Sequence, residues 1–211
     1  APQKNRNKIN ILNKMPSLKL TRIGSINDGI LFKILSIIKV CYIKLTSEGL
    51  IILKPNKLLF KNFSAFLALG FGAGISKKAP GSLGTLMAIP FFLLIQFLPE
   101  FLIILFIVTM FFIGIYVSDK TSQALGIQDP SCIVIDEIVG FLLLLALIQN
   151  QIKTLPYFIL AFILFRIFDI WKPYPIDILE KKFKGGFGIM IDDIGAAIYA
   201  YIIFLFIYYA I

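Results

Sequence analysis

In 211 residues the chain carries 58% hydrophobic and 16% charged residues, and its mean hydropathy is +0.88. An average soluble domain is about half apolar and about a quarter charged, so this composition argues against an ordinary water-soluble domain and for a membrane protein of one helical domain. The net charge of +9 is gathered at one end: residues 1–62 hold twelve Lys/Arg against two acids, Asp28 and Glu48, whereas residues 63–211 hold nine against ten. Beside a bilayer such a basic segment reads as cytoplasmic and facing anionic lipid. It carries no aromatic-interleaved basic groove and no recognised motif, so no nucleic-acid partner is expected.

Residues 1–28 are polar, basic and rich in Asn, and read as flexible. No apolar run follows their first charges closely and no small-residue cleavage site appears, so no signal peptide is expected. Residues 29–53 are more apolar but interrupted by Lys33, Lys39 and Lys44. Either a strand pair around Ser47-Glu48-Gly49 or an amphipathic interfacial helix fits them. A short helix is predicted over 58–71, broken by the glycines at 70, 72 and 74, and residues 74–85 read as a polar Gly/Pro loop.

Leu86 to Leu98 and Phe101 to Val117 are apolar runs separated by Pro99-Glu100, which together suggest a helical hairpin. The second, at seventeen residues, is near the lower limit for spanning about 30 Å of hydrocarbon. Residues 118–130 are polar and read as a return to the surface. A helix is predicted over 133–148, a turn over 150–154, and a helix over 155–171 stopped by Pro173 and Pro175. Residues 177–184 form a charged turn or short helix, Gly185, Gly186 and Gly188 a flexible loop, and 194–211 a closing apolar run. The fold class expected is therefore all-α: a membrane-associated bundle of apolar helices with polar Gly/Pro loops.

The acids carry the chemistry. Asp136-Glu137 heads one apolar run and Asp192-Asp193 precedes another, so four of twelve acids lie beside hydrocarbon. A carboxylate in such a place is costly unless it is paired or binds a cation. Helix-dipole complementarity could explain Asp136-Glu137, and a solvated N-cap Asp192-Asp193, but two pairs together suggest a metal site at a membrane surface. Arg166 and Asp169 lie three apart and share a helix face, either as a structural ion pair or as phosphate donor and metal ligand. Lys77, Lys78, Lys172 and Lys184 border the Gly/Pro loops, where backbone N–H groups can cradle an anion.

Carboxylate pairs beside basic, Gly-rich loops fit Mg2+ and a phosphate ester. The chain has no histidine, which removes a phosphohistidine route. Six residues after Cys41 and Cys132 stand Ser47 and Ile138, where a cysteine phosphatase needs Arg, and no DxDx[TV] segment occurs. The cysteines also show no metal spacing, and Cys132 reads as a core residue. A membrane transporter or channel with a carboxylate cation site is the alternative; it would need the acids near mid-membrane.

Four stretches taken in order resemble the phosphatidylglycerophosphatase A family of bacterial membrane lipid phosphatases: Gly70 to Thr85 (GFGAGISKKAPGSLGT), Asp129 to Gly140 (DPSCIVIDEIVG), Phe165 to Pro175 (FRIFDIWKPYP) and Lys184 to Gly195 (KGGFGIMIDDIG). The resemblance implies hydrolysis of the terminal phosphate of phosphatidylglycerophosphate to phosphatidylglycerol, with Mg2+ as cofactor and an anionic phospholipid as substrate. It implies the bacterial inner membrane; the basic N-terminal segment points to a site facing the cytoplasm, and no obligate protein partner is inferred. The resemblance makes Asp136, Glu137, Asp169, Asp192 and Asp193 the catalytic candidates, with Asp136, Glu137, Asp192 and Asp193 as metal ligands. Gly81, Thr85, Arg166, Lys172 and Lys184 become the phosphate-binding candidates. The phosphatase domain is then 58–211, and 1–57 a basic, partly flexible extension. A CDP-alcohol phosphotransferase, which also sets acids on membrane helices, would show a DGxxAR…G…D…D signature that this chain lacks.

Overall fold

The computed structural model describes residues 43–46, 49–52, 62–76, 78–127, 129–152 and 154–210. The chain divides into two compact units, Ala1–Pro55 and Asn56–Ile211. In the first, β1 (Ile43–Thr46) and β2 (Gly49–Ile52) pair antiparallel, with Ile43 opposite Ile52 and Thr46 opposite Gly49. Of the two alternatives for residues 29–53, the strand pair is the one seen in the described residues 43–46 and 49–52. The expectations for residues 1–28, for Cys41 and for Lys77 lie outside the described residues.

The elements among the described residues of the second unit are all helical. It contains α1 (Phe63–Ala68), a 3-10 segment (Gly70–Ile75), α2 (Pro80–Ile95), α3 (Glu100–Leu125), α4 (Ile135–Leu147), α5 (Leu155–Trp171), α6 (Ile176–Lys182) and α7 (Gly186–Ala210). The core helix is α4. Its sequence IDEIVGFLLLLAL is apolar all round after the first turn, the pattern of a helix enclosed by others, and Ile138, Val139, Phe141, Leu142, Leu144 and Leu145 are fully buried. Phe141 meets Phe158, Phe162 and Phe165 of α5 with ring centroids 5.5–5.9 Å apart. Each such ring contact adds about 0.5–1.5 kcal/mol beyond area burial. α2 and α7 pack on the other sides of α4, and α3 packs on α7, α1 and α4. The two arms of the expected hairpin are joined at 96–99, and each packs chiefly on other helices of the bundle.

Three boundaries differ from the sequence reading. Residues 80–85 are the first turns of α2, not loop: Pro80 suits a helix start because its missing N–H would have no partner there. Pro90 sits inside the same helix on its exposed face. Residues 118–125 continue α3, ending where Gly126 takes a left-handed conformation, φ 64°. Their polar letters are a helix face: Ser118, Thr121 and Ser122 are buried, while Lys120 and Gln123 are exposed. The third change is the start of α7 at Gly186 instead of 194.

α3 and α7, with 26 and 25 residues and hydropathies of 2.7 and 1.9, are long and apolar enough to cross a membrane. At 1.5 Å per residue each is roughly 38 Å long, more than the ~30 Å hydrocarbon core. α4, at roughly 20 Å, is too short to span. Large apolar side chains face outward along the bundle, among them Phe101, Ile104 and Phe112 on α3, Ile159 and Ile163 on α5, and Ile202 and Phe206 on α7. Water would penalise so extensive an apolar exterior; lipid does not. The protein is a membrane-associated helical bundle.

Candidate active site

The acids converge at one end of the bundle. Asp136 and Glu137 lie in the first turn of α4, and Asp192 and Asp193 two turns inside α7. Asp193 reaches α4 because residue 140, one turn after Asp136, is glycine. A Cβ on Gly140 would lie 2.9 Å from the Asp193 carbonyl oxygen and 3.0 Å from its Cβ. The two helices therefore touch at backbone distance beside the acids. Carboxylate oxygens of Asp136, Glu137 and Asp193 lie within 4.8 Å of one another. Glu137, Asp192 and Asp193 are buried, and Asp136 is half-buried. A solvated N-cap at Asp192-Asp193 is thereby excluded.

Asp192 turns elsewhere. Its Oδ2 accepts a hydrogen bond from Lys172 Nζ, and its Oδ1 accepts the backbone N–H of Asp193 at 3.0 Å. Lys172 caps the C-terminus of α5 in a left-handed conformation, φ 47°, so this ion pair ties the end of α5 to α7. Lys172, expected among the phosphate-binding residues, is thus engaged by an acid, and Asp192 lies outside the three-carboxylate cluster. Lys78 and Lys184 are exposed.

Arg166 and Asp169 do form their ion pair along α5, and the pair extends further. Arg166 Nη1 lies 3.7 Å from Glu137 Oε1 and donates to Thr85 Oγ1 at 3.4 Å; Thr85 Oγ1 in turn donates to the Gly81 carbonyl at 2.9 Å. One guanidinium thus joins α2, α4 and α5. Gly81 is buried against it: a Cβ there would lie 2.9 Å from Arg166 Nη2 and would overlap Glu137 Oε1. Gly81 and Thr85, predicted to meet phosphate, are placed at the start of α2 directly beside this pair.

The site carries five acids, Asp136, Glu137, Asp169, Asp192 and Asp193, against two engaged cations, Arg166 and Lys172. Burial of an uncompensated charge costs several kcal/mol per ion. Accordingly, burial and the neighbouring carboxylates of Glu137 and Asp193 push the Asp136 carboxyl well above its ordinary value. Its Oδ1 is buried without a hydrogen-bond partner. An all-carboxylate donor set with an orphaned buried oxygen fits a hard divalent cation. Asp136, Glu137 and Asp193 are the residues placed to hold it. Gly140 was not singled out from the sequence; its spacing of four from Asp136, on the same helix face, was the available signal.

The family model described as phosphatidylglycerophosphatase A matches residues 66–208. Phosphatidylglycerophosphatase A of Escherichia coli is 40% identical over 144 residues, covering 68% of this chain and 82% of that protein. The Haemophilus influenzae protein of the same name is 40% identical over 155 residues, covering 73% and 94%. A putative phosphatidylinositol-3-phosphatase of Bacteroides thetaiotaomicron is 39% identical over 142 residues, covering 65% and 88%. No solved structure matches the chain. The order of motifs, the helical bundle and these matches agree: the chain belongs to the phosphatidylglycerophosphatase A family of phosphatases.

Proposed function

We propose that the protein is an Mg2+-dependent lipid phosphatase that removes the terminal phosphate of phosphatidylglycerophosphate to give phosphatidylglycerol. The observation that carries this reading is the meeting of Asp136, Glu137 and Asp193 beside Arg166 and the first turn of α2. A divalent cation held by those carboxylates would supply Lewis-acid polarisation and offset charge on the phosphoryl oxygens. The first-turn N–H groups of α2 have no partner within the helix and lie at the positive end of its dipole. With Arg166 they form the phosphate-facing side of the site. Thr85, Glu137 and Asp169 hold the guanidinium in place. Water attacks phosphorus, the bond from phosphorus to the glycerol oxygen breaks, and the departing alcohol takes a proton.

Lysine placement supports a cytoplasmic site at the bacterial inner membrane. The described chain segments at the site end of the bundle carry Lys78, Lys120, Lys172, Lys182 and Lys184. Among the described residues, the connections at the opposite end, 96–99 and 148–152, carry no Lys or Arg. An excess of Lys/Arg marks the cytoplasmic side.

The test is phosphate release by the purified protein from phosphatidylglycerophosphate and from phosphatidylinositol 3-phosphate in mixed micelles. Turnover of the first should exceed that of the second, stop with EDTA and return with Mg2+. Equal turnover after exhaustive chelation would contradict the metal, and preference for the inositol lipid would contradict the substrate.

A further inference from the structure

The start of α7 is held from outside its own sequence. Asp119, in the last turns of α3, accepts the backbone N–H of Gly186 on Oδ1 at 3.4 Å and the side-chain amide of Gln123 on Oδ2 at 2.6 Å. The two backbones meet at this point. A Cβ on Gly185 would lie 2.6 Å from Asp119 Oδ1, and one on Gly186 would lie 2.9 Å from the Asp119 nitrogen. The pinch continues one turn on, where a Cβ on Gly114 would lie 2.6 Å from Met190 Sδ. An acid at a helix N-terminus satisfies an orphan donor and complements the dipole. Here that acid belongs to a different helix, so it fixes α7 against α3 as well as capping it.

From Gly186 the helix runs unbroken to Asp193, roughly 10 Å along its axis at 1.5 Å per residue. A helix moves along its axis as a rod, so the height of its first turn sets the height of Asp193. On the far side Asp193 has no slack, because it rests on Gly140 of α4. We propose that Asp119 is a positioning residue: it holds α7 at the height where the Asp193 carboxylate joins Asp136 and Glu137. This rests on the proposed reading of those three carboxylates as the cation site.

The experiment compares wild type, Asp119→Ala and Asp119→Asn, purified in detergent. Two quantities are read: Mn2+ affinity by electron paramagnetic resonance, and amide hydrogen exchange over residues 186–193. Asp119→Ala should weaken Mn2+ binding about tenfold, within the 10–100-fold range for residues that orient metal ligands. It should also speed exchange over 186–193. Asp119→Asn keeps an acceptor oxygen and should restore most of both. Faster exchange with unchanged Mn2+ affinity would overturn the proposal, leaving Asp119 a helix cap only. Failure of Asn to restore binding while exchange stays protected would also overturn it, because the charge rather than the hydrogen bond would then matter. Absence of Mn2+ binding in the wild type itself would sink the cation-site reading, and the proposal with it.

Discussion

Asp193→Asn and Asp136→Asn are each expected to lower turnover of phosphatidylglycerophosphate by more than about a hundredfold, while the protein still folds and inserts. Residues that merely orient metal ligands cost 10–100-fold when removed, and these two are placed as ligands themselves. The substitution is nearly isosteric, so packing of Asp193 on Gly140 is kept. What changes is charge: an amide in place of either carboxylate removes one negative charge from a cluster whose oxygens lie within 4.8 Å of one another. For the apo protein that removal relieves repulsion, so thermal stability without metal should hold or rise. Activity and apo stability should therefore move in different directions, which separates a ligand role from a structural one. Wild-type turnover in both variants would dismiss the cluster as the site.

Gly81→Ala should be as damaging for a different reason. In an ordinary helix interior this change is favourable by about 1 kcal/mol. At Gly81 the added methyl would overlap Glu137 Oε1 and press on Arg166 Nη2. Overpacking of this kind costs about 1–3 kcal/mol, and the atoms that must give way are those that join α2, α4 and α5. The expected result is a lower melting temperature and a loss of kcat/KM on the order of a hundredfold, comparable to loss of a transition-state charge donor. A more stable, fully active Gly81→Ala protein would show that the Arg166–Glu137 geometry is not needed for turnover.

Much of this site was legible in the letters because charge beside hydrocarbon is rare and expensive. Asp136-Glu137 and Asp192-Asp193 stood out on that ground alone, and Arg166-Asp169 by helical spacing. The division of labour within the second pair was not legible. Adjacent helix residues point about 100° apart, so only one of Asp192 and Asp193 could face α4, and which one depends on how α7 is rotated. The same limit applies to Lys172, whose partner Asp192 is twenty residues away. Helix boundaries failed where glycine and polar residues served packing. GGFG ahead of Asp192 reads as a flexible loop, yet Gly186 and Gly188 are buried in the first turn of α7. The run SDKTSQAL reads as surface, yet it continues α3 with Ser118, Thr121 and Ser122 turned inward. In both places tertiary contact overrode local propensity.

The central claim is that the carboxylates joining α4 and α7 hold the divalent cation a lipid phosphatase of this kind would need. It is tested most directly by an equilibrium Mn2+ titration of the purified wild-type protein beside Asp136→Asn and Asp193→Asn. Saturable binding in the wild type, displaced by Mg2+ and weakened at least about tenfold in each variant, is the predicted result. Equal Mn2+ affinity in all three proteins would contradict it.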